Sequence, residues 1–246
     1  MALVLEELAG EGAANAGGWM GCDLEGSWAD FAAGLAVDAP VSEENLDRLE
    51  AFYFERGRPA KIKVTPYEHP SLRRGLADRG FLLFQLDSVL VRATEALEWE
   101  VPGLRFIEVD PSDPGDIRTF RRTQMAGFHG GEGPQGMWPI TERVPRNARS
   151  RTWLFELDGQ LVGSGGLERY QDSGTLFGGC VVEAARGRGV QSAFIRDRVS
   201  TAHGMGLRSV NVGSEPGGPT ERNALRAGFV PAFTNLGLRK GLSGNC

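Results

Sequence analysis

Gly174-Thr-Leu-Phe-Gly-Gly-Cys-Val-Val182, continued by Glu183-Ala-Ala-Arg-Gly-Arg-Gly-Val-Gln-Ser192, is the stretch whose reading decides the fold. An apolar run ends in a basic turn bracketed by glycines. The residues after it have helical spacing, with Val190, Ala193 and Phe194 on one apolar stripe and Ile195, Val199 and Ala202 on another, as in a helix held between a sheet and a second element. Strand, turn, helix is the order expected. A helix start of this kind is an anion site: its first amide groups lack intrahelical partners, the helix dipole is positive there, and Gly187 and Gly189 let a ligand approach the backbone. The ligand expected carries phosphate.

Working outward, Thr152 to Glu156 and Leu161 to Tyr170 flank Asp158-Gly159, a dipeptide that favours a tight hairpin, so antiparallel strands are expected there. Upstream come a strand at Leu104 to Val109, a helix from about Pro114 to Ala126 and a low-complexity glycine loop from Gly127 to Gly136, ended by Met137-Trp138-Pro139. Downstream, Ser209 to Val212 reads as strand, Thr220 to Ala227 as helix and Phe229 to Arg239 as strand. In the first hundred residues, Trp28 to Val37 reads as strand, Ser42 caps a helix with Leu46, Leu49 and Tyr53 on its apolar face, and Lys61 to Thr65 alternates as a strand. A short helix from Ser71 and a strand from Phe81 to Arg92 follow. An acidic segment ending in Pro102-Gly103 reads as a linker. It divides the chain into residues 1–96 and 104–246. At a constant offset of 148, Gly80-Phe81 meets Gly228-Phe229, Ile62 and Val64 meet Val210 and Val212, and Leu90 meets Leu238, which suggests a duplicated unit.

Composition bounds the function. The 246 residues carry a net charge of −5, but the first hundred hold 9 Lys or Arg against 18 Asp or Glu, and the remainder 18 against 14. The phosphate turn lies in the basic half. The basic residues are scattered and no strand carries a basic and aromatic stripe, so nucleic acid is not an expected partner. No apolar run approaches the ~20 residues of a membrane helix, and Glu6 and Glu7 stand where a signal peptide has basic residues. No membrane contact and a cytoplasmic location are expected. Cys22, Cys180 and Cys246 form no CxxC pair, which argues against a zinc site or a disulfide framework; Cys180 reads as a buried strand residue and no metal is expected.

Arg186-Gly187-Arg188-Gly189-Val190-Gln191 after a strand, with Asn223-Ala-Leu-Arg-Ala-Gly228-Phe229 after the next, resembles the acyl-CoA-binding core of the GNAT superfamily of N-acyltransferases. The resemblance implies an α/β (α+β) fold with a mixed, largely antiparallel sheet and flanking helices: a catalytic unit over 104–246 and a degenerate copy over 1–96. It implies acetyl-CoA as donor, Cys180, Val181 and Val182 along the pantetheine arm, amides of Arg188, Gly189, Val190, Gln191 and Ser192 around the pyrophosphate, and Asn223 near the pantetheine end. The family pattern falls on Arg186, Gly189 and position 191, where Gln replaces Gly or Ala. A Tyr that serves many members as acid is replaced by Ala224. A dinucleotide fingerprint is also approximated by Gly187, Gly189 and Ser192, but too little chain follows for a doubly wound domain.

Attack of an amine on a thioester needs a base for the ammonium proton and a donor to the developing oxyanion. Glu168, on the second hairpin strand, is the first candidate base, against a reading as a solvated carboxylate; Glu183 is the second, against simple pairing with Arg186 or Arg188. The acceptor expected is a small-molecule or peptide amine, and the protein a monomer or homodimer. A CoA-binding or protein-interaction module without catalysis is the alternative.

Overall fold

In the computed structural model, which describes residues 6–25 and 27–242, the order of strand, helix, Gly-Phe and long strand occurs twice. The chain forms two compact units, one of the residues up to Asp87 together with those from Phe233 onward, the other of Ser88–Ala232.

The first unit contains β1 (Glu11–Asn15), β2 (Gly18–Cys22), β3 (Ala32–Ala33), α1 (Glu43–Phe54), β4 (Ala60–Val64), α2 (Pro70–Asp78) and the first half of β5 (Leu82–Ala93). β3 is all that forms of the strand expected over 28–37, because Gly34 and Ala36 take positive φ of 72° and 57° and break the extended run. Ser42 caps α1 through a reciprocal pair with Asn45. Leu46, Leu49 and Tyr53 of α1 pack with Leu72 and Leu76 of α2 on Ile62 and Val64 of β4. Burial of each such side chain contributes roughly 1.5–3 kcal/mol.

The second unit contains the rest of β5, then β6 (Leu104–Glu108), α3 (Pro114–His129), α4 (Trp138–Arg143), β7 (Ser150–Leu157), β8 (Gln160–Tyr170), β9 (Ser173–Val181), α5 (Val190–Gly204), β10 (Ser209–Ser214), α6 (Pro219–Arg226) and the start of β11 (Val230–Lys240). Its strands lie in the order β5-β10-β9-β8-β7-β6, antiparallel except for β9 beside β10. The mixed, largely antiparallel sheet is the one expected. Asp158 and Gly159, at φ 53° and 80°, turn the β7–β8 hairpin as a two-residue loop with both central residues left-handed requires. Both stripes of α5 are buried, Phe194 against Phe155 with ring centroids 4.4 Å apart. On the opposite face, Phe120 of α3 packs on Leu154 and Val109. The glycine loop is shorter than expected: α3 runs on to His129 before Gly130 ends it at φ 74°, and Trp138 opens α4.

The duplication read at an offset of 148 extends to hydrogen bonds. Phe81 N–H donates to the Leu76 carbonyl and Gly80 N–H to Ala77, while Phe229 N–H donates to Ala224 and Gly228 N–H to Leu225, all at 3.0 Å. Gly80 and Gly228 both take positive φ, 76° and 83°, and Phe81 and Phe229 are both buried. Yet the last strand of each copy divides its length. β5 sends Ser88–Ala93 into the second unit, where Leu90 pairs with Val212, and β11 sends its later part into the first, where Leu238 pairs with Ile62. Residues 94–100 lack regular structure, as a linker would, but are anchored in the second unit: Leu97 N–H donates to Ser200 Oγ at 2.7 Å and Trp99 Nε1 to Asp197 at 3.0 Å. The compact units therefore do not follow the division at 96 and 104. Among the described residues, no helix is long and apolar enough to cross a membrane, and no three His, Cys, Asp or Glu are grouped to hold a metal.

Candidate functional site

The parallel ladder between β9 and β10 runs from Ser173↔Ser209 to Leu176↔Val212 and stops, although β9 continues to Val181 and β10 to Ser214. Over its last residues β9 keeps its register with β8 alone. The two strands part where the register with β8 also breaks, between the pairs Gly166↔Phe177 and Ser164↔Cys180, so that Gly178 and Gly179 oppose the single Gly165. Gly178 sits at φ +60°, the left-handed conformation of a bulge residue. A strand edge released beside a glycine bulge can pair with an extended, amide-bearing ligand.

After β9 the chain passes through one short 3-10 turn, Glu183–Ala185, into the glycine turn. Gly187 and Gly189 have φ of 76° and 83°, and a Cβ added at Gly187 would meet nothing within 4 Å. Gly189 is the N-cap of α5 and no side chain caps that helix. The first-turn amides of a 15-residue helix thus open onto a turn with room for an anion. These residues fit a diphosphate. Arg188 meets Asp158 Oδ2 at 2.8 Å, an exposed pair. Arg186 donates from Nε to the Val181 carbonyl at 3.2 Å and from Nη2 to the Gly127 carbonyl at 3.3 Å, tying the end of β9 to α3. Of the groups expected along a pantetheine arm, Val182 N–H already donates to Val162 at 2.8 Å, and the Val181 carbonyl is engaged by Arg186.

Gln191 does not fill the turn. Its Nε2 donates to Thr220 Oγ1 at 3.0 Å and its Oε1 accepts from Asn223 Nδ2 at 2.7 Å, so it joins the starts of α5 and α6. Asn223 is brought to the turn by that bond. Ser192 lies half-buried one residue on, and Val190 is buried in the core. Ala224, where the resemblance leads one to look for a Tyr, is fully buried.

Glu168 is half-buried, opposite Thr175 of β9, and alternation places it on the α3 face with Ser164, whose hydroxyl touches Gln124 of that helix. Glu183 is exposed beyond the far end of β9. Eight residues at ~3.3 Å rise put the two carboxylates roughly 20 Å or more apart, so the structure does not bring them together. Phe128 and His129 are exposed at the end of α3. Trp138 pins its loop, donating to the Glu132 carbonyl at 2.9 Å under the Arg121 guanidinium at 4.2 Å from the ring. Cys180 is buried as expected, and burial raises its thiol above the ordinary range.

Two features escape a sequence reading. One is the close approach of β8, β9 and their covering elements: an added Cβ would fall 2.6 Å from the Phe194 ring at Gly165, 2.2 Å from the Phe177 ring at Gly166 and 2.5 Å from Cys180 Sγ at Gly127. The other is Gln124, mid-helix and buried, whose Nε2 donates to the Gly178 carbonyl at 2.8 Å and contacts Ser164 Oγ at 3.4 Å.

No protein-family model matches the chain, and no curated protein matches it by sequence. Solved structures do match. A GCN5-related N-acetyltransferase from Kribbella flavida aligns over 98% of this chain and 93% of its own at 13% identity, with a TM-score of 0.70. One from Sphaerobacter thermophilus aligns over 74% and 60% at 18% identity with a TM-score of 0.55, and a tandem GNAT protein from the clavulanic acid biosynthesis pathway over 78% and 67% at 13% with 0.53. At these identities the likeness is one of fold.

Proposed function

On the frame of the GCN5-related N-acetyltransferase fold, which this chain has, we propose that the second unit is an N-acetyltransferase using acetyl-CoA and a primary amine, and that the first is a degenerate copy of the same fold. The carrying observation is the parting of β9 from β10 directly before a glycine turn and an uncapped helix start. A strand edge for an amide-rich arm and a helix terminus for a diphosphate follow one another in the order in which coenzyme A presents those groups.

In this reading the diphosphate lies against the amides of Arg188 to Ser192 and the arm runs back along Val182 to Cys180. The thioester then stands beside the bulge at Gly178. The amine nitrogen attacks the thioester carbonyl, the carbon–sulfur bond breaks, and the thiolate leaves without an acid, since Ala224 has none to give. Glu168 takes the ammonium proton, directly or through water; Glu183 lies too far along β9 to share that role. The acceptor is a small-molecule or peptide amine, and Asn223 steadies the turn through Gln191. A CoA-binding module without turnover is the second reading, favoured by Ala224.

Acetyl-CoA at one hundred times its dissociation constant stabilises a native-only binder by roughly 2.7 kcal/mol. A rise of about 5–10 °C in melting temperature is expected for a chain of this size. No rise at millimolar acetyl-CoA defeats the proposal; a rise with no acetyl transfer to any of a panel of amines favours the module.

A further inference from the structure

Gln124 is buried in the middle of α3, where nothing in the helix needs its carboxamide. It lies at the bulge of β9. The Gly178 carbonyl accepts from Gln124 Nε2 at 2.8 Å, and an added Cβ at Gly178, whose φ is +60°, would lie 2.9 Å from that same nitrogen. Ser164 Oγ, fully buried, touches Nε2 at 3.4 Å and Cys180 Sγ at 3.5 Å, which closes a polar cluster between helix and bulge. β10 has already parted from β9 at this level.

A carbonyl held in one direction fixes the peptide plane it belongs to, and with it the directions of the neighbouring amides. Glycines at 178 and 179 leave those peptides otherwise free to turn. We propose that Gln124 is a positioning residue for acyl transfer: by gripping the Gly178 carbonyl it holds the bulge in the shape that presents β9 to the acyl oxygen. The inference rests on the acyl-CoA reading of the site. It assigns Gln124 to recognition of the acyl group, separate from binding of the coenzyme's phosphate end.

The test measures dissociation constants of acetyl-CoA and of CoA by calorimetry on the full chain. Wild-type protein should prefer acetyl-CoA by about tenfold, the worth of one well-placed hydrogen bond. Gln124→Leu should bring that ratio to about one while CoA affinity stays within roughly threefold, since the phosphate turn is untouched. Gln124→Glu should lose the preference at pH 8, where a carboxylate faces a carbonyl, and regain it at pH 5.5, where burial favours the neutral acid and its O–H donates. Two other ionisable groups bear on this position. Cys180, whose thiol burial raises, lies 3.5 Å from Ser164 Oγ, and Arg186 donates to the Gly127 carbonyl of the same helix.

Gln124→Leu with an unchanged ratio overturns the inference and leaves the acyl-CoA reading standing. Wild-type protein that binds neither ligand overturns both, and wild-type protein that binds both equally overturns the inference alone. Should Gln124→Leu fail to fold, Gln124→Glu decides, a ratio flat with pH counting against the proposal.

Discussion

Glu168 shares a strand face with Ser164 and stands across the ladder from Thr175, three residues before Gly178 opens the bulge. In the proposed reaction that position makes it the base beside the thioester. Glu168→Gln should lower turnover about a hundredfold at neutral pH, a common worth of a general base, while acetyl-CoA affinity is unchanged. Because the base acts only on amine that arrives protonated, the deficit should shrink as pH rises toward the pKa of the acceptor. Equal rates for variant and wild type at pH 7 would remove Glu168 from the mechanism, and a loss independent of pH would make it a contact for the acceptor. At the same scale, Gln191 shows why a departure from a motif needs its surroundings. Held between Thr220 and Asn223, its side chain is directed at α6 and leaves the turn open.

Among elements, the proposed binding of acetyl-CoA depends on the backbone shape of the turn into α5. Gly189 at φ +83° has Val101 Cγ2 at 3.4 Å from an added Cβ, so Gly189→Val brings left-handed strain of roughly 1–2 kcal/mol and obstructs ligand approach. The melting rise with acetyl-CoA should disappear although circular dichroism still reports the native fold; a retained rise would place the phosphate elsewhere. This turn was legible in the sequence because glycine spacing and helical periodicity are local. So were β7 and β8, through alternation about Asp158-Gly159, and the repeat, through its Gly-Phe pairs. α4 was not, since six residues opening with Trp138-Pro139 after a run of glycines carry too little periodicity. The strand expected over 28–37 failed because left-handed Gly34 and Ala36 are set by tertiary context. Gln124 was invisible for a related reason: glutamine mid-helix is ordinary, and its meaning depends on a carbonyl 54 positions away.

For the whole molecule, each unit is completed by a strand from the other copy of the repeat. A fragment covering residues 104–246 lacks Ser88–Ala93, the partner of β10, and with it the fully buried Leu90. A fragment covering 1–96 lacks Leu236–Lys240, the partner of β4. Each fragment expressed alone should fail to give a cooperative melting transition, and the two co-expressed should purify together. A cooperative melt from either one would show that its shared strand is dispensable.

The same exchange sets the order in which the protein is made. β4 leaves the ribosome long before its partner exists, since the pairing Val64↔Leu236 joins residues about 170 positions apart, and synthesis at ~5–20 residues per second makes that wait roughly 10–35 s. Throughout that interval the edge of β4 is open to any other extended chain. The N-terminal unit is therefore the last to be finished, in reverse of the usual progression along a nascent chain, and its open edge stays exposed through most of translation.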